Sequence, residues 1–175
     1  MAKSYIVLNC AQPTTAAPVK QPTGSAIRTM MQLRFATGVH AKIIAWGCSF
    51  DGSAAATPGQ VELFETTVAA TMSTAYAAAD IMPYNDRNAT ANTAGAGGVP
   101  LNLSTTTSGF ATAAVTEGTV AGYRAIDIQQ IAPTNQYVYQ WPLGTEFDIT
   151  PQNYVRARVT FAATVNMTIW IIFEV

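Results

Sequence analysis

The sequence feature that most constrains this chain is the alternation of apolar and polar residues near its C-terminus. Successive side chains of an extended strand point to opposite faces, so residues two apart line the same face. Over residues 154–161 one such face carries Val155, Ala157, Val159 and Phe161. Over residues 165–174 one face carries Val165, Met167, Ile169, Ile171 and Phe173, and the other carries Asn166, Thr168, Trp170, Ile172 and Glu174. That second face is partly apolar, which predicts a strand that is central or covered on both sides.

Further strand candidates precede this region and are separated by short segments rich in Gly, Pro, Asn and Asp. They are residues 27–35, 39–46, 60–65, 123–131, 137–141 and 147–150. In the first of them Met30 interrupts the pattern, and one face carries Ile27, Thr29, Met31, Leu33 and Phe35. Residues 49–53 contain Asp51-Gly52 and are predicted to form a turn, because Asp-Gly tolerates the positive φ of tight turns.

No segment keeps a helical period over a dozen residues. The Ala-rich residues 68–80 have no helix caps, so a strand or an irregular loop is favoured there, with one short helix as the alternative. Many short strands separated by Gly/Pro turns predict an all-β protein. The expected fold is a single-domain antiparallel β-sandwich or jelly roll.

Two segments fall outside the strand pattern. Residues 9–26 contain three prolines, which remove backbone donors, so an extended arm is predicted there rather than a central strand. The apolar residues 5–8 before it are a candidate edge strand. Residues 85–109 predict a long loop, because they offer few apolar side chains for burial, namely Val99, Leu101 and Leu103. The chain thus divides into an N-terminal strand and arm, residues 1–26, and a sandwich domain, residues 27–175.

The low content of charged residues limits the classes of partner. Charged residues make up 11% of the chain and the net charge is −1, whereas soluble proteins typically contain about 25% charged residues. No basic stripe is present to displace counterions, which argues against nucleic acid as a partner. No apolar run approaches the roughly 18–20 residues that span a bilayer, which argues against a membrane partner. A surface this poor in charge favours an assembly component that is covered by other protein chains.

The residues that could carry chemistry form no catalytic or metal-binding motif. His40 is the single histidine and lies in a strand candidate. Cys10 and Cys48 are expected to be separate thiols, buried or half-buried, because a chain made in a reducing cytosol keeps its cysteines reduced. The carboxylates of Glu62 and Glu65 are expected on opposite faces of one strand. The sequence therefore predicts a protein that is not an enzyme, with no catalytic residue, cofactor, metal or small-molecule substrate.

Aromatic and proline residues are the candidates for an interaction surface. Tyr137, Tyr139 and Trp141 alternate, so they should share one face of a strand. A platform that stacks on sugar rings is one interpretation, and a cluster in the core or at a subunit interface is the favoured one. The other candidate interface residues are Trp170 and Ile172 of the C-terminal strand and Pro13, Pro18 and Pro22 of the arm.

Several motifs resemble a group of small tailed-phage virion proteins. They are AWGCSFDG at residues 45–52, VEL at 61–63, QWPLG at 140–144, and the apolar ending at 165–175 that closes in Phe-Glu-Val. The group is similar to the jelly-roll decoration, or cement, proteins that sit as trimers on phage heads. The resemblance covers residues 27–65 and 137–175, about half of the chain, and leaves residues 66–119 unmatched.

This resemblance implies a capsid decoration protein made in the host cytoplasm and located on the outer surface of the virion. It implies a homotrimer that binds and stabilises neighbouring major capsid subunits. The alternative is a tail-fibre or carbohydrate-binding β-sandwich module that attaches the particle to a receptor. A self-assembling RNA-virus coat is disfavoured, since residues 9–26 hold a single basic side chain, Lys20.

Overall fold

A computed structural model describes residues 3–52, 57–85 and 100–175, which form strands and one short 3₁₀ helix, Ala78–Asp80. In chain order the strands are β1 (Ser4–Leu8), β2 (Gln21–Pro22), β3 (Arg28–Arg34), β4 (Ala41–Asp51), β5 (Gly59–Thr66), β6 (Thr74–Ala75), β7 (Met82–Pro83), β8 (Gly109–Phe110), β9 (Arg124–Ile131), β10 (Gln136–Gln140), β11 (Phe147–Ile149), β12 (Tyr154–Thr160) and β13 (Asn166–Glu174).

These strands form two antiparallel sheets. Sheet A has the order β10–β4–β13–β1–β7, with β11 also paired to β4 and β2 also paired to β13. Sheet B has the order β6–β8–β3–β12–β5–β9. Apolar side chains from both sheets meet in one hydrophobic core, so the predicted all-β sandwich is confirmed. The last six strand candidates after residue 59 each coincide with a strand to within one residue at either end.

The alternation in the two C-terminal strands sets the core. Val155, Ala157 and Val159 of β12 are fully buried between the sheets. β13 is central, between β4 and β1, as its two-sided apolar pattern predicts. Arg156 lies on the outer face of sheet B, as expected, but none of its side chain is exposed. Irregular segments of the chain cover this face, and the guanidinium of Arg156 donates to the carbonyl of Val68 in one of them at 3.4 Å.

A β-bulge changes the faces of β3 relative to the prediction. Arg158 of β12 lies opposite Thr29, and the preceding residue, Ala157, lies opposite Met31. Met30 is therefore the extra residue of the bulge, and the side chains before it change faces. The expectation that Thr29 shares the buried face with Met31 is wrong, since its hydroxyl accepts a bond of 2.6 Å from the outward Arg156. Met30 interrupts the sequence pattern for this reason.

β4 is longer than predicted and starts later. It begins at Ala41, so His40 lies just before the strand, after the turn at Thr37-Gly38, and is exposed. It continues to Asp51, which lies opposite Asn166 of β13, while Phe50 lies opposite Met167. The predicted turn is therefore wrong for residues 49–51, because pairing with the long central strand outweighs the local preference of Asp-Gly.

The N-terminal residues belong to sheet A. β1 confirms the strand predicted at residues 5–8, and it pairs with β13 over its whole length. Two residues of β2 pair with the same edge of β13, so that Pro22 lies opposite Asn166. The extended arm is thus shorter than the predicted residues 9–26. Pro22 can take part in β2 because a proline is tolerated in a short strand at the margin of a sheet.

The gap between β1 and β2 along β13 is filled by the side chain of Asn9, which is fully buried. Its Oδ1 accepts from the backbone N–H of Ile169 at 2.9 Å, and its Nδ2 donates to the carbonyl of Met167 at 3.3 Å. The side chain therefore supplies the partner that the N–H of Ile169 lacks between the two short strands, and it adds a bond to the carbonyl of Met167, which lies opposite Gln21.

The middle of the chain is irregular, as predicted for residues 68–80, where only β6 and the 3₁₀ helix are regular. In the predicted long loop, residues 86–99, including Val99, lie outside the described part of the chain. Leu101 is buried and forms a bridge with Phe35, while Leu103 is half-buried against the core, as expected for the apolar residues of this loop.

Candidate functional site

The buried carboxylates of sheet B bind arginines and backbone groups. Glu62 accepts from Arg158 at 2.5 Å and from the hydroxyl of Tyr123 at 2.9 Å, and burial together with this bond raises the pKa of Tyr123 to about 12. Glu65 accepts from Arg124 and from the N–H of Thr150 at 3.0 Å. The two glutamates bind separate partners, as expected for carboxylates on opposite faces of one strand. Both glutamates therefore stabilise the fold through these contacts.

A third carboxylate links the two sheets. Asp127 of β9 accepts from the indole N–H of Trp46 at 3.0 Å and from the hydroxyl of Tyr137 at 2.7 Å, both on sheet A. Burial and this hydrogen bond raise the pKa of Tyr137. The ring of Tyr137 also packs edge-on against Trp46. Tyr137 therefore belongs to the interior of the sandwich, and the interpretation of Tyr137, Tyr139 and Trp141 as one exposed platform is wrong for its first member.

Within the described ranges, no group of three or more His, Cys, Asp or Glu side chains is placed to hold a metal ion. Asp80, the remaining buried acid, accepts from the backbone N–H of Gln12 at 2.6 Å and of Ala77 at 2.8 Å.

Among the same described residues, no helix is long and apolar enough to cross a membrane.

The cysteines are both buried thiols, as predicted, and each is 2% exposed. Cys48 lies opposite Ile169 on one edge of β13, and Asn9, next to Cys10, lies beside Ile169 on the other edge. About two strand spacings, roughly 10 Å, therefore separate the two backbones. A disulfide needs Cα atoms within about 7 Å, so this register does not permit one. Burial raises the pKa of the Cys48 thiol to about 12.

The exposed part of the predicted arm is a loop, residues 11–20, which we call the anchored loop. All of its residues are exposed except Pro13, which is half-buried. The chain leaves β13 beside Ile169, at Asn9, and returns to it at Gln21, opposite Met167. Pro18 lies in the exposed part of the loop, whereas the third candidate proline, Pro22, is in β2. The loop is thus held at both ends by the central strand and presents its middle to solvent.

The outer face of sheet A carries the second set of candidate residues. Trp170 is half-buried, and a Cβ at Gly47 would lie 2.5 Å from its Cζ2 atom, so the indole lies directly over this glycine. Val138 on the same face is 58% exposed. Ile172 was expected at an interface, but it is only 7% exposed, between Ala45 and Ile6 on the neighbouring strands. The neighbouring strands already cover most of this side chain in the isolated chain.

Within the part of the chain that the structure describes, no further strand pairs with the outer edge of β9 or β10, so one side of the sandwich is open. β9 ends sheet B and β10 ends sheet A, and they follow each other in the chain, so their free edges lie on the same side. Large apolar residues are exposed here, and they are Tyr123, Ile128, Val138 and Tyr139, at 40–58% of their surface. An unprotected pair of strand edges with exposed apolar side chains is a surface that other chains bind readily.

A notch of about 360 Å³ lies at one end of the outer face of sheet A. Lys42 of β4 and Glu174 of β13 are directly opposite each other in the sheet and line one side of it. Trp141, Leu143 and Glu146, from the connection between β10 and β11, line the other side. Trp141 is half-buried, and Leu143 is 98% exposed. Trp141, one of the predicted aromatic candidates, therefore lines this concave site.

Comparison with known proteins finds no matching protein family, no similar curated protein and no similar solved structure. The class of protein that the structure defines is an antiparallel β-sandwich with the surfaces described above.

Proposed function

We propose that this chain is a structural protein of a tailed-phage virion, a capsid decoration or cement protein. A homotrimer would bind the outer surface of the capsid and stabilise neighbouring major capsid subunits, after synthesis in the host cytoplasm. The jelly-roll connectivity that the sequence resemblance implies belongs to the same proposal.

The observation that carries this proposal is the anchored loop. Nine of its ten residues, all but Pro13, are exposed although both ends are fixed to the central strand of sheet A. Prolines restrict the backbone conformations of the loop before it binds, which lowers the entropy cost of ordering it against a partner. Ala, Thr and Val side chains supply contact surface without charge, and such a segment suits a protein partner.

The distribution of charge supports the same class of partner. Arg156, Arg158 and Arg124 are each paired with a glutamate, so these guanidinium groups stabilise the fold. The apolar open side formed by β9 and β10 is a candidate contact between subunits of the trimer. Light scattering on the purified chain should then give a mass three times the 18.5 kDa of one chain. A monodisperse species of 18.5 kDa would contradict the trimer.

The test of capsid binding is co-sedimentation with empty capsids assembled from the major capsid protein of the same virus. In one variant, residues 14–19 are replaced by a Gly/Ser sequence of equal length, which leaves the buried anchors Asn9 and Gln21 intact. We expect the melting temperature to change by only a few degrees and the bound fraction to fall at least tenfold. As a matched control, the exposed residues 162–164 are replaced by Gly-Ser-Gly, which should leave binding unchanged. Failure of the wild-type chain to sediment with capsids would refute the proposed function, and equal binding by the loop variant would refute the role of the loop.

A further inference from the structure

The notch beside Trp141 is built by three separate parts of the chain. Lys42 and Ile44 come from β4, and Glu174 comes from the end of β13. The connection between β10 and β11 closes the remaining side. The N–H of Trp141 donates to the carbonyl of Ile44 at 3.0 Å, so the connection begins as a continuation of the sheet. The notch is therefore tied to the rigid framework of sheet A.

The wall formed by the connection is held in one conformation. Thr145 donates to the carbonyl of Pro142 from its N–H at 2.9 Å and from its hydroxyl at 2.7 Å. Gly144 has a φ of 86° and donates its N–H to Oε1 of Glu146 at 2.9 Å. This bond lowers the pKa of Glu146, so its carboxylate is ionised at neutral pH. Turns fixed in this way present their side chains without a large ordering cost.

The aromatic ring at the notch is also positioned. Tyr139 packs edge-on against Trp141 with ring centroids 4.9 Å apart. The pair lies at the edge of sheet A, and Trp141 packs against the core while remaining partly exposed. Together with Ile44 and Leu143, the indole provides an apolar surface in a site that is otherwise polar.

We propose that this notch binds a neutral saccharide ring. The indole of Trp141 and the Leu143 side chain provide the surface that packs on the C–H face of a sugar. The carboxylates of Glu174 and Glu146 accept from hydroxyl groups, and the Lys42 ammonium and the Gln140 amide donate to them. Two carboxylates against one ammonium disfavour an anionic ligand. The volume of about 360 Å³ lies at the lower end of the roughly 300–1,000 Å³ of small-molecule sites.

This inference goes beyond the decoration function, because it gives the protein a second ligand on a different surface. The notch is formed by sheet A and the 141–146 connection, whereas the anchored loop is residues 11–20. Loss of saccharide binding would consequently leave capsid binding unchanged.

Saturation-transfer NMR and tryptophan fluorescence on the full chain test the proposal. The probes are methyl glycosides of neutral hexoses and N-acetylhexosamines, followed by an array of neutral glycans. We expect at least one probe to bind in a saturable manner. Trp141→Ala should weaken its affinity about tenfold or more. Leu143→Asp tests the same surface at a side chain that is 98% exposed, so it cannot fail through loss of folding. Glu174→Gln should weaken binding several-fold.

Tyr84→Ala is the matched control, because Tyr84 is a 60% exposed aromatic residue that does not line the notch. Its affinity should equal that of the wild type. The proposal is overturned if no neutral saccharide binds the wild-type chain, or if Trp141→Ala and Leu143→Asp bind as well as the control. It is also overturned if these two variants change only the oligomeric mass, since the notch would then be a subunit contact.

Discussion

Replacement of Asn9 by alanine should destabilise the protein strongly, although Asn9 lies near the N-terminus at the start of the segment that the sequence predicts as an arm. The amide side chain bonds to the N–H of Ile169 at 2.9 Å and to the carbonyl of Met167 at 3.3 Å. Both groups lie in the central strand of sheet A: Ile169 is between the parts of β13 that pair with β1 and β2, and Met167 lies opposite Gln21 of β2. Alanine leaves the N–H of Ile169 buried without its side-chain partner and removes the amide bond to the carbonyl of Met167.

The size of the effect follows from these two bonds. A buried polar group that loses its partner costs about 1–3 kcal/mol. That cost applies to the N–H of Ile169. The carbonyl of Met167 stays opposite Gln21, so losing the 3.3 Å bond to it adds about 1 kcal/mol, and the expected loss in the free energy of unfolding is about 2–4 kcal/mol. In a chain of this size, 1 kcal/mol lowers the melting temperature by about 2–4 °C. We therefore expect Asn9→Ala to melt about 5–15 °C below the wild type.

Urea and thermal unfolding, followed by tryptophan fluorescence and circular dichroism at equal protein concentration, measure this loss. Asn166→Ala is the control, since Asn166 is in the same strand but exposed, and it should change stability by less than about 0.5 kcal/mol. A loss of less than about 0.5 kcal/mol for Asn9→Ala would refute the reasoning.

The variant Asn9→Asp adds a test that depends on pH. Burial raises the folded-state pKa of the introduced carboxyl above its unfolded value of about 3.9. When protonated it can accept from Ile169 and donate to Met167, as the amide does. A carboxyl whose pKa is higher in the folded than in the unfolded state makes its full contribution to stability below the unfolded-state pKa, where it is protonated. This contribution is lost as the pH rises through the folded-state pKa. The deficit of this variant relative to the wild type should therefore be small near pH 3.5 and larger at pH 7. A deficit that does not change with pH would contradict the bridging role.

Two further predictions concern close packing and the thiols. Gly47→Ala should cost about 1–3 kcal/mol, because the added Cβ meets the Trp170 ring at 2.5 Å. In a double-mutant cycle the same substitution should cost less in the Trp170→Ala background, and equal costs in both backgrounds would show that the ring is not the obstacle. Native, unreduced protein should resist alkylation at Cys10 and Cys48, because both are buried. After denaturation without reductant, intact mass should show two alkylated thiols, and a denatured chain that gains none would contain the disulfide that the strand register argues against.

The strands that were predictable are those whose pattern is local. β12 and β13 alternate without interruption, so hydrophobic periodicity alone locates them and places Val155 and Ile169 in the core. The limits of β4 were not predictable in this way. Asp51-Gly52 is a strong turn signal, and the opposing effect is pairing with Asn166, more than a hundred residues away. Met30 interrupts the apolar–polar alternation in the sequence at the bulge, but alternation alone does not show which side chains change faces.

The candidate sites were less predictable because they depend on contacts across the sandwich. Nothing near Asn9 in the sequence indicates that its side chain completes the edge of β13. The sequence does not distinguish Asp127 from the other isolated acidic residues, whereas the fold places its carboxylate between Trp46 and Tyr137. The alternation of Tyr137 and Trp141 predicted a shared face, but it did not distinguish an inward ring from one that lines a notch.

The central claim is that this sandwich decorates a capsid through its anchored loop, and cryo-electron microscopy tests it most directly. Purified chain is added to empty capsids assembled from the major capsid protein of the same virus, and the decorated and bare particles are reconstructed. We expect threefold-symmetric density on the outer surface, with residues 11–20 ordered against neighbouring major capsid subunits. Capsids without added density, or density in which residues 11–20 face solvent, would contradict the account.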